Sequence, residues 1–305
     1  MDESLIDPRL REATRKLPSA NIENPLLLGI GRIVSAHLPG TRVSGVSREV
    51  VRTNGPRLRV YRPENPSGAG LLWIHGGGLV LGGPTMDDAF CGETARELGV
   101  TIVSVEYRLA PRHPFPAAID DVFAGWEWLV ARAADLGLDP GRLAIGGQSA
   151  GGGLAAALVQ RVHDTGGAVA AQWLFCPMID DRTATDRSRD GVDHRIWSNR
   201  SNLVGWRSYL GADLGAATLP PYAAAARRED VSGLPPAWIY ASDIELFFDE
   251  DAAYATRLRD AGVDTTFVEV AGAPHGFESW ASDTEPARDL VAGARAWLGE
   301  RLGRR

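Results

Sequence analysis

Short apolar runs alternate along the chain with longer segments in which apolar residues recur at helical spacing. A helical pattern covers residues 117–134, and residues 51–62 alternate between apolar and polar side chains, which is typical of an antiparallel pair. Apolar runs of strand length occupy residues 71–74, 100–106, 143–145, 170–175, 238–241 and 266–270. This order predicts an α/β fold with a mostly parallel central sheet that is flanked by helices.

Two segments interrupt this alternation within what is predicted to be a single domain spanning residues 1–305. Residues 1 to about 43 contain a charged helical pattern at 8–16 and an apolar stretch at 25–37. Residues from about 183 to 230 are rich in Arg, Asp and Trp and lack a strand pattern. Both segments are predicted to form a helical cap that excludes water and walls a pocket. Five apolar residues of the first segment have packing on the core as an alternative or additional role: Leu26, Leu27, Leu28, Ile33 and Val34.

The most specific local motif is Gly-Gln-Ser-Ala-Gly at 147–151, between the apolar run at 143–145 and a run of small residues. The order strand, tight turn, helix holds a serine hydroxyl above the end of a sheet, where the helix N-terminus stabilises developing negative charge. By itself the motif is weak, because glycine and serine are common in turns. Ser149 is therefore a candidate nucleophile that needs support from the rest of the chain.

A run of three glycines gives part of that support. The tetrapeptide His-Gly-Gly-Gly at 75–78 directly follows the apolar run at 71–74. Consecutive glycines leave backbone N–H groups free to converge on one spot, as an oxyanion site requires, and the N–H of Ala150 would complete it. A flexible turn is the alternative, which the preceding strand disfavours. A phosphate loop is disfavoured because no Gly-Lys-Ser/Thr is present.

His275 lies in a loop rich in proline and glycine, after the strand-like run at 266–270. A histidine in this place can take the proton of the serine and later give it to the leaving group. The chain order nucleophile, acid, histidine is one of the known triad orders. The remaining candidates lack this context and are assigned to polar surface, a cap or a structural turn: His37, His163, His194 and His113.

The acid that orients this histidine is expected within residues 238–251. Asp243 and Glu245 both lie in the loop after the apolar run, and the pattern alone does not choose between them. The acidic stretch at 249–251 is better explained as the first turn of a helix, where negative side chains complement the helix dipole.

Together these motifs resemble those of bacterial carboxylesterases of the hormone-sensitive-lipase family. The similarity covers nearly the whole chain, most clearly from about residue 57 to 280, and includes the segment Tyr-Arg-Leu-Ala-Pro-Arg-His-Pro-Phe-Pro-Ala-Ala at 107–118. The resemblance implies an α/β-hydrolase fold with a helical cap. It also implies that the N–H groups of Gly77, Gly78 and Ala150 form the oxyanion hole.

The same resemblance helps to choose the acid. The family usually has an aspartate, an apolar pair, one variable residue and then Asp-Glu. Counting back from the Asp-Glu pair at 249–250 implies Glu245 as the acid, with Asp243 as the alternative.

Two positions depart from the family pattern: Gln148 stands where aspartate is common, and Leu79 stands where an aromatic residue is common. Leu79 is predicted to contact the substrate, so its departure bears on the size of substrate accepted.

The composition excludes several classes of function. The formal net charge is −7 and the pI is near 5.4, which argues against a nucleic-acid partner. No run approaches the ~18 apolar residues of a membrane span and the start of the chain lacks a signal-peptide pattern, so we expect a cytoplasmic protein. Cys91 and Cys176 are predicted to be buried free thiols, consistent with a reducing compartment. We expect no metal, because no metal-ligand spacing is present. We also expect no cofactor, because hydrolysis through a serine nucleophile needs none.

The sequence therefore predicts a serine carboxylesterase that hydrolyses short- to medium-chain acyl or aryl esters through an acyl-enzyme. An amide or lactone hydrolase with the same triad is one alternative. A non-catalytic small-molecule receptor on the same scaffold is another, disfavoured because the histidine base is present. The expected partner is a small ester, and a homodimer is possible. Three tryptophans are candidates for lining the pocket: Trp197, Trp206 and Trp280.

Overall fold

The computed structural model of this protein describes residues 2–17, 22–36 and 39–303. The strands within these residues are, in chain order, β1 (Val46–Arg52), β2 (Arg57–Pro63), β3 (Gly70–Ile74), β4 (Thr101–Glu106), β5 (Leu143–Gln148), β6 (Gln172–Phe175), β7 (Ala237–Ser242) and β8 (Thr265–Val270). They form one sheet in the spatial order β1-β2-β4-β3-β5-β6-β7-β8. The pairs β1–β2 and β2–β4 are antiparallel, whereas all other neighbours are parallel. The predicted α/β fold is therefore confirmed.

Helices cover both faces of this sheet. In the described part of the chain they are α1 (Arg11–Arg15), α2 (Pro25–Ala36), α3 (Asp88–Leu98), α4 (Ala117–Ala131), α5 (Ala150–Asp164), α6 (Asp181–Thr185), α7 (Asn199–Leu210), α8 (Phe248–Asp260), α9 (Phe277–Trp280) and α10 (Glu285–Arg301). Helices α4, α5 and α8 contribute to one core cluster and α1, α3 and α10 to the other. Successive residues of a strand point to opposite faces, so Leu72 joins the first cluster and Leu71 the second. This double burial explains why the central strands are continuous apolar runs.

The predicted boundaries are close to those of the structure. The pattern at 51–62 corresponds to the antiparallel pair β1–β2, which begins earlier, at Val46. The helix predicted over 117–134 ends at Ala131, and the N–H of the next residue, Arg132, donates a hydrogen bond to the carbonyl oxygen of Trp128. The run at 170–175 becomes a strand only from Gln172. Local patterns therefore place each element, but the terminal hydrogen bonds decide where it ends.

The apolar stretch at 25–37 forms helix α2 over its described residues, and His37 lies outside them. Of the five apolar residues considered for packing on the core, Leu28 is buried, whereas four are exposed: Leu26, Leu27, Ile33 and Val34. Packing on the core is therefore the role of Leu28 alone among these five residues. Two polar side chains also hold the helix. The guanidinium of Arg32 donates to the carbonyl oxygens of Val80 and Ala110, both at 2.6 Å, and Oγ of Ser35 accepts from the Gly82 N–H at 3.1 Å.

The segment at 183–230 has no strand among its residues, all of which the structure describes. Its longest helix is α7, which lies near the carboxyl ends of the strands. Both cysteines are buried and free, as predicted. Across the described ranges, the helices are too short or too polar to cross a bilayer.

Candidate active site

Ser149 occupies the turn between β5 and α5 with a positive φ of 54°. This conformation is rare for a residue with a Cβ and is held by neighbouring hydrogen bonds. The Ser149 N–H donates to the carbonyl of Phe175 at 2.8 Å, and its carbonyl accepts from the N–H of Met178 at 2.9 Å. A Cβ at Gly151 would overlap the carbonyl oxygens of Ile74 and His75, so only glycine lets α5 approach the end of β3.

His275 connects the serine to a carboxylate. Its Nε2 lies 2.9 Å from Oγ of Ser149, and its Nδ1 contacts Oε2 of Glu245. All three side chains are buried. The Phe247 ring meets the imidazole edge-on at 5.2 Å, and the indole of Trp280 donates to the His275 carbonyl at 3.0 Å. These contacts fix the imidazole plane, and Trp280 therefore supports the histidine loop.

Asp243, the alternative acid, makes a different contact. Its Oδ1 accepts a hydrogen bond from the N–H of Gly272 at 2.7 Å. The next residue of the histidine loop is also fixed, since the Ala273 N–H donates to Oγ of Ser242 at 3.0 Å. The geometry therefore favours Glu245 as the carboxylate partner of His275.

The glycine run at 75–78 lies beside the serine, because a Cβ placed on Gly76 would come into contact with Cβ of Ser149. Gly77 and Gly78 have positive φ values of 114° and 60°. Ala150 is the first residue of α5, so its N–H belongs to the helix turn whose amides have no partner within the helix. The loop and the helix start thus bring the predicted oxyanion donors to the same end of the sheet.

His75, the first residue of the glycine run, supports the loop. Its ring stacks on Tyr107 with the ring centres 4.2 Å apart, and the Tyr107 hydroxyl donates to the His75 carbonyl at 3.0 Å. Burial lowers the pKa of His75 to about 4. The side chain is therefore neutral at physiological pH, which keeps a positive charge from forming behind the glycine run.

The segment at 183–230 covers the glycine run. A Cβ on Gly78 would overlap the indole of Trp197, and a Cβ on Gly205 would come within 2.6 Å of the Gly78 carbonyl oxygen. The two elements therefore pack at backbone distance. Leu79 follows the glycines, is buried, and borders a small cavity together with Trp206. Of the three tryptophans considered, Trp206 lines this cavity and Trp197 touches the glycine run.

Gln148 takes part in a network that the sequence did not predict. Its Nε2 donates to Oε1 of Glu278 and to Oγ of Ser279, both at 2.6 Å. The hydroxyl of Tyr240 donates to the other oxygen of Glu278. Burial raises the pKa of Glu278. The network links the turn before Ser149 to the helix after His275. The one feature of the sequence that could have indicated it is an acidic residue, Glu278, three positions beyond the histidine.

Among the described residues, one buried group of side chains has the composition of a metal site: Cys176, Glu245 and His275, with ligand atoms within 4.8 Å of one another. The contact between the Glu245 carboxylate and the His275 imidazole already explains why two of these three side chains lie close together. Burial raises the pKa of the Cys176 thiol well above its ordinary value, whereas a metal binds the thiolate. The donor chemistry therefore fits a hydrogen-bonded site better than a metal centre.

The fold and this site define an α/β hydrolase with a serine, a histidine and a carboxylate in contact. A family model described as alpha/beta hydrolase fold matches residues 71–279. The chain belongs to this family.

Individual relatives are consistent with this assignment. Carboxylic ester hydrolase LipN of Mycobacterium tuberculosis is 34% identical over 282 residues, covering 88% of this chain and 74% of the relative. Carboxylesterase NlhH of the same species is 36% identical over 239 residues, covering 76% and 73%. A solved structure, bacterial heroin esterase, superposes with a TM-score of 0.91 at 34% identity and covers 99% of both chains.

Proposed function

We propose that this carboxylic-ester hydrolase cleaves short- to medium-chain acyl or aryl esters through an acyl-enzyme on Ser149. His275 takes the hydroxyl proton as Oγ attacks the ester carbonyl, and the N–H groups of Gly77, Gly78 and Ala150 bind the oxyanion. The tetrahedral intermediate then collapses as Nε2 gives the proton to the leaving alcohol. Water attacks the acyl-enzyme with His275 again as base, which releases the carboxylic acid.

The observation that carries this proposal is the unbroken chain of contacts from Glu245 through His275 to Ser149. The carboxylate holds the imidazole in the tautomer that carries its proton on Nδ1, so Nε2 is free to accept from the serine. It also stabilises the imidazolium that forms after proton transfer. The names of the relatives, which are ester hydrolases, support an ester rather than an amide as substrate.

We also infer that the described parts of the segments at 1–43 and 183–230 act as the cap. Arg32 links α2 to the loop that follows the glycine run, and α7 packs on the run itself. Such a cover excludes water from the developing charge and strengthens its interaction with the N–H donors.

The test is replacement of the nucleophile. Ser149→Ala should lower kcat for p-nitrophenyl butanoate by at least about 10⁴-fold while the circular dichroism spectrum is kept. The matched control is Ser47→Ala, which removes an exposed hydroxyl on β1 and should leave kcat unchanged. A reactive phosphonate should label Ser149 alone, as mapped by mass spectrometry of the digest. An adduct on another residue, or wild-type turnover by the variant, would overturn the proposal.

A further inference from the structure

A small cavity lies beside Ala150, the residue that follows the nucleophile. It is bordered by Leu79, Ala150, Met178, Trp206 and Tyr209, and by neighbours of similar character. It has room for about one water-sized group. The loop at 271–276 is fully described and contributes no residue to this border.

This position suits the acyl half of a substrate. The leaving alcohol must face Nε2 of His275, because that atom delivers its proton. The acyl group lies on the other side of the carbonyl, and a cavity that Ala150 borders and the histidine loop does not border suits this half of the substrate. Its small volume limits the acyl group to a short chain in the conformation that the structure shows.

Two side chains that line this cavity carry hydrogen-bond donors without a partner in the described part of the chain. Trp206 and Tyr209 are three residues apart on α7, so they lie on one face of the helix. Each is 2% exposed, and neither the indole Nε1 nor the phenol oxygen has a hydrogen-bond partner among the described residues. Burial raises the pKa of the Tyr209 phenol, which therefore remains a donor.

Unpaired buried donors are uncommon, because burial removes their water without replacing it. A third polar side chain of the same wall shows the ordinary arrangement: the Tyr222 hydroxyl donates to Oδ2 of Asp164 at 2.9 Å. The remaining wall near the donors is apolar, including Leu79 and Met178. A molecule bound in the cavity can therefore supply the acceptor that Trp206 and Tyr209 lack among the described residues.

We propose that the preferred substrate is an ester whose short acyl group carries an uncharged acceptor oxygen, an ether or a ketone, bound by Trp206 Nε1 and the Tyr209 hydroxyl. The proposal rests on the proposed function, since it assigns the acyl half of that substrate. An aliphatic acyl group of the same shape fills the space but leaves both donors unpaired. Sites that hydrogen-bond a substrate group reject analogues lacking it far more strongly than apolar pockets reject a methylene.

The experiment compares two p-nitrophenyl esters of matched shape and short acyl chain, the methoxyacetate, which carries an ether oxygen, and the butanoate, which does not. The measured quantity is the ratio of their kcat/KM values in the wild type, Tyr209→Phe and Trp206→Phe. Intrinsic reactivity of the esters cancels when this ratio is compared between variants. We expect the ratio to fall by roughly 3- to 10-fold in each variant, which is the effect on kcat/KM of losing one hydrogen bond to the substrate. The matched control is Tyr222→Phe, whose lost hydroxyl already had a partner, and its ratio should equal that of the wild type.

The outcomes separate the two proposals. Tyr209→Phe should keep or raise Tm, because it removes an unpaired buried hydroxyl. An unchanged ratio in both variants, with hydrolysis still dependent on Ser149, would overturn the acceptor proposal and leave the esterase proposal intact. A lowered Tm with an unchanged ratio would also overturn it, by showing a structural role for the hydroxyl. If the folded wild type hydrolyses neither ester, the proposed function itself fails.

Discussion

Asp243 accepts a hydrogen bond of 2.7 Å from the backbone N–H of Gly272, three residues before His275 in the chain. This bond anchors the loop that carries the imidazole, while the carboxylate of Glu245 contacts the imidazole itself. Two carboxylates only two positions apart therefore serve different purposes, one fixing the backbone of the loop and the other facing Nδ1.

The two carboxylates should respond very differently to loss of charge. Glu245→Gln should lower kcat by about 10⁴-fold, because the imidazole loses the partner that fixes its tautomer. Asp243→Asn is the matched variant: its amide oxygen can still accept from Gly272, so kcat should stay close to that of the wild type. Steady-state kinetics with p-nitrophenyl butanoate measures both. A near-inactive Asp243→Asn with an active Glu245→Gln would show that Asp243 is the acid.

Gly78 should not tolerate a methyl group. Its φ is 60°, and an added Cβ would overlap the Trp197 ring, so Gly78→Ala must displace the loop that carries the proposed oxyanion donors. We expect kcat to fall by about 10²- to 10³-fold, the effect of losing one such donor. The matched control is Gly83→Ala, where an added Cβ meets nothing within 4 Å and the backbone is extended. Equal kinetics for the two variants would show that Gly78 does not place a donor.

Arg32 should couple helix α2 to the site. Its guanidinium donates to the carbonyl oxygens of Val80 and Ala110. It links α2 to the loop after the glycine run, together with Ser35, whose Oγ accepts from the Gly82 N–H at 3.1 Å. Arg32→Met keeps the aliphatic stem but loses both bonds, which should lower the free energy of unfolding by about 1–3 kcal/mol and reduce kcat/KM. Arg9→Met, which removes an exposed pair with Asp7, serves as the control and should change neither quantity appreciably. Identical kinetics for Arg32→Met and the wild type would argue against a cap role for α2.

Asp87 should make stability depend on pH. It accepts a hydrogen bond from the Trp73 indole at 2.7 Å, and burial raises its pKa to about 6. Because this value lies above that of an unfolded aspartate, the folded state binds the proton more tightly. Its contribution to stability is therefore present below about pH 4 and is lost as the pH rises to about 6.

Asp87→Asn removes this titration and keeps an acceptor for the indole. Relative to the wild type, the variant should gain stability as the pH rises, by on the order of 2–3 kcal/mol once the pH exceeds 7. Urea unfolding of both proteins at several values between pH 4.5 and 7.5 gives the difference. A difference that is constant over this range would show that Asp87 is already ionised in the folded protein.

Much of the site followed from local sequence. The turn at Ser149 depends on a strand, a few glycines and a helix start, all within about ten residues, so its geometry is set by backbone sterics of neighbouring positions. The choice of Glu245 over Asp243 needed the family pattern, because two acidic residues in one loop are equivalent to any local rule. The structure separates them only through the path of the loop at 271–276, which brings Gly272 to one and His275 to the other.

The sequence by itself determined the order of strands and helices, because apolar periodicity reports which face of each element is buried. Only the tertiary structure decided how the segment at 183–230 meets the glycine run, which places Trp206 and Tyr209 on the cavity beside Ala150. It likewise joined Gln148 to Glu278 across 130 positions of the chain. Such contacts depend on the shapes of side chains that are distant in sequence, and no periodic pattern records them.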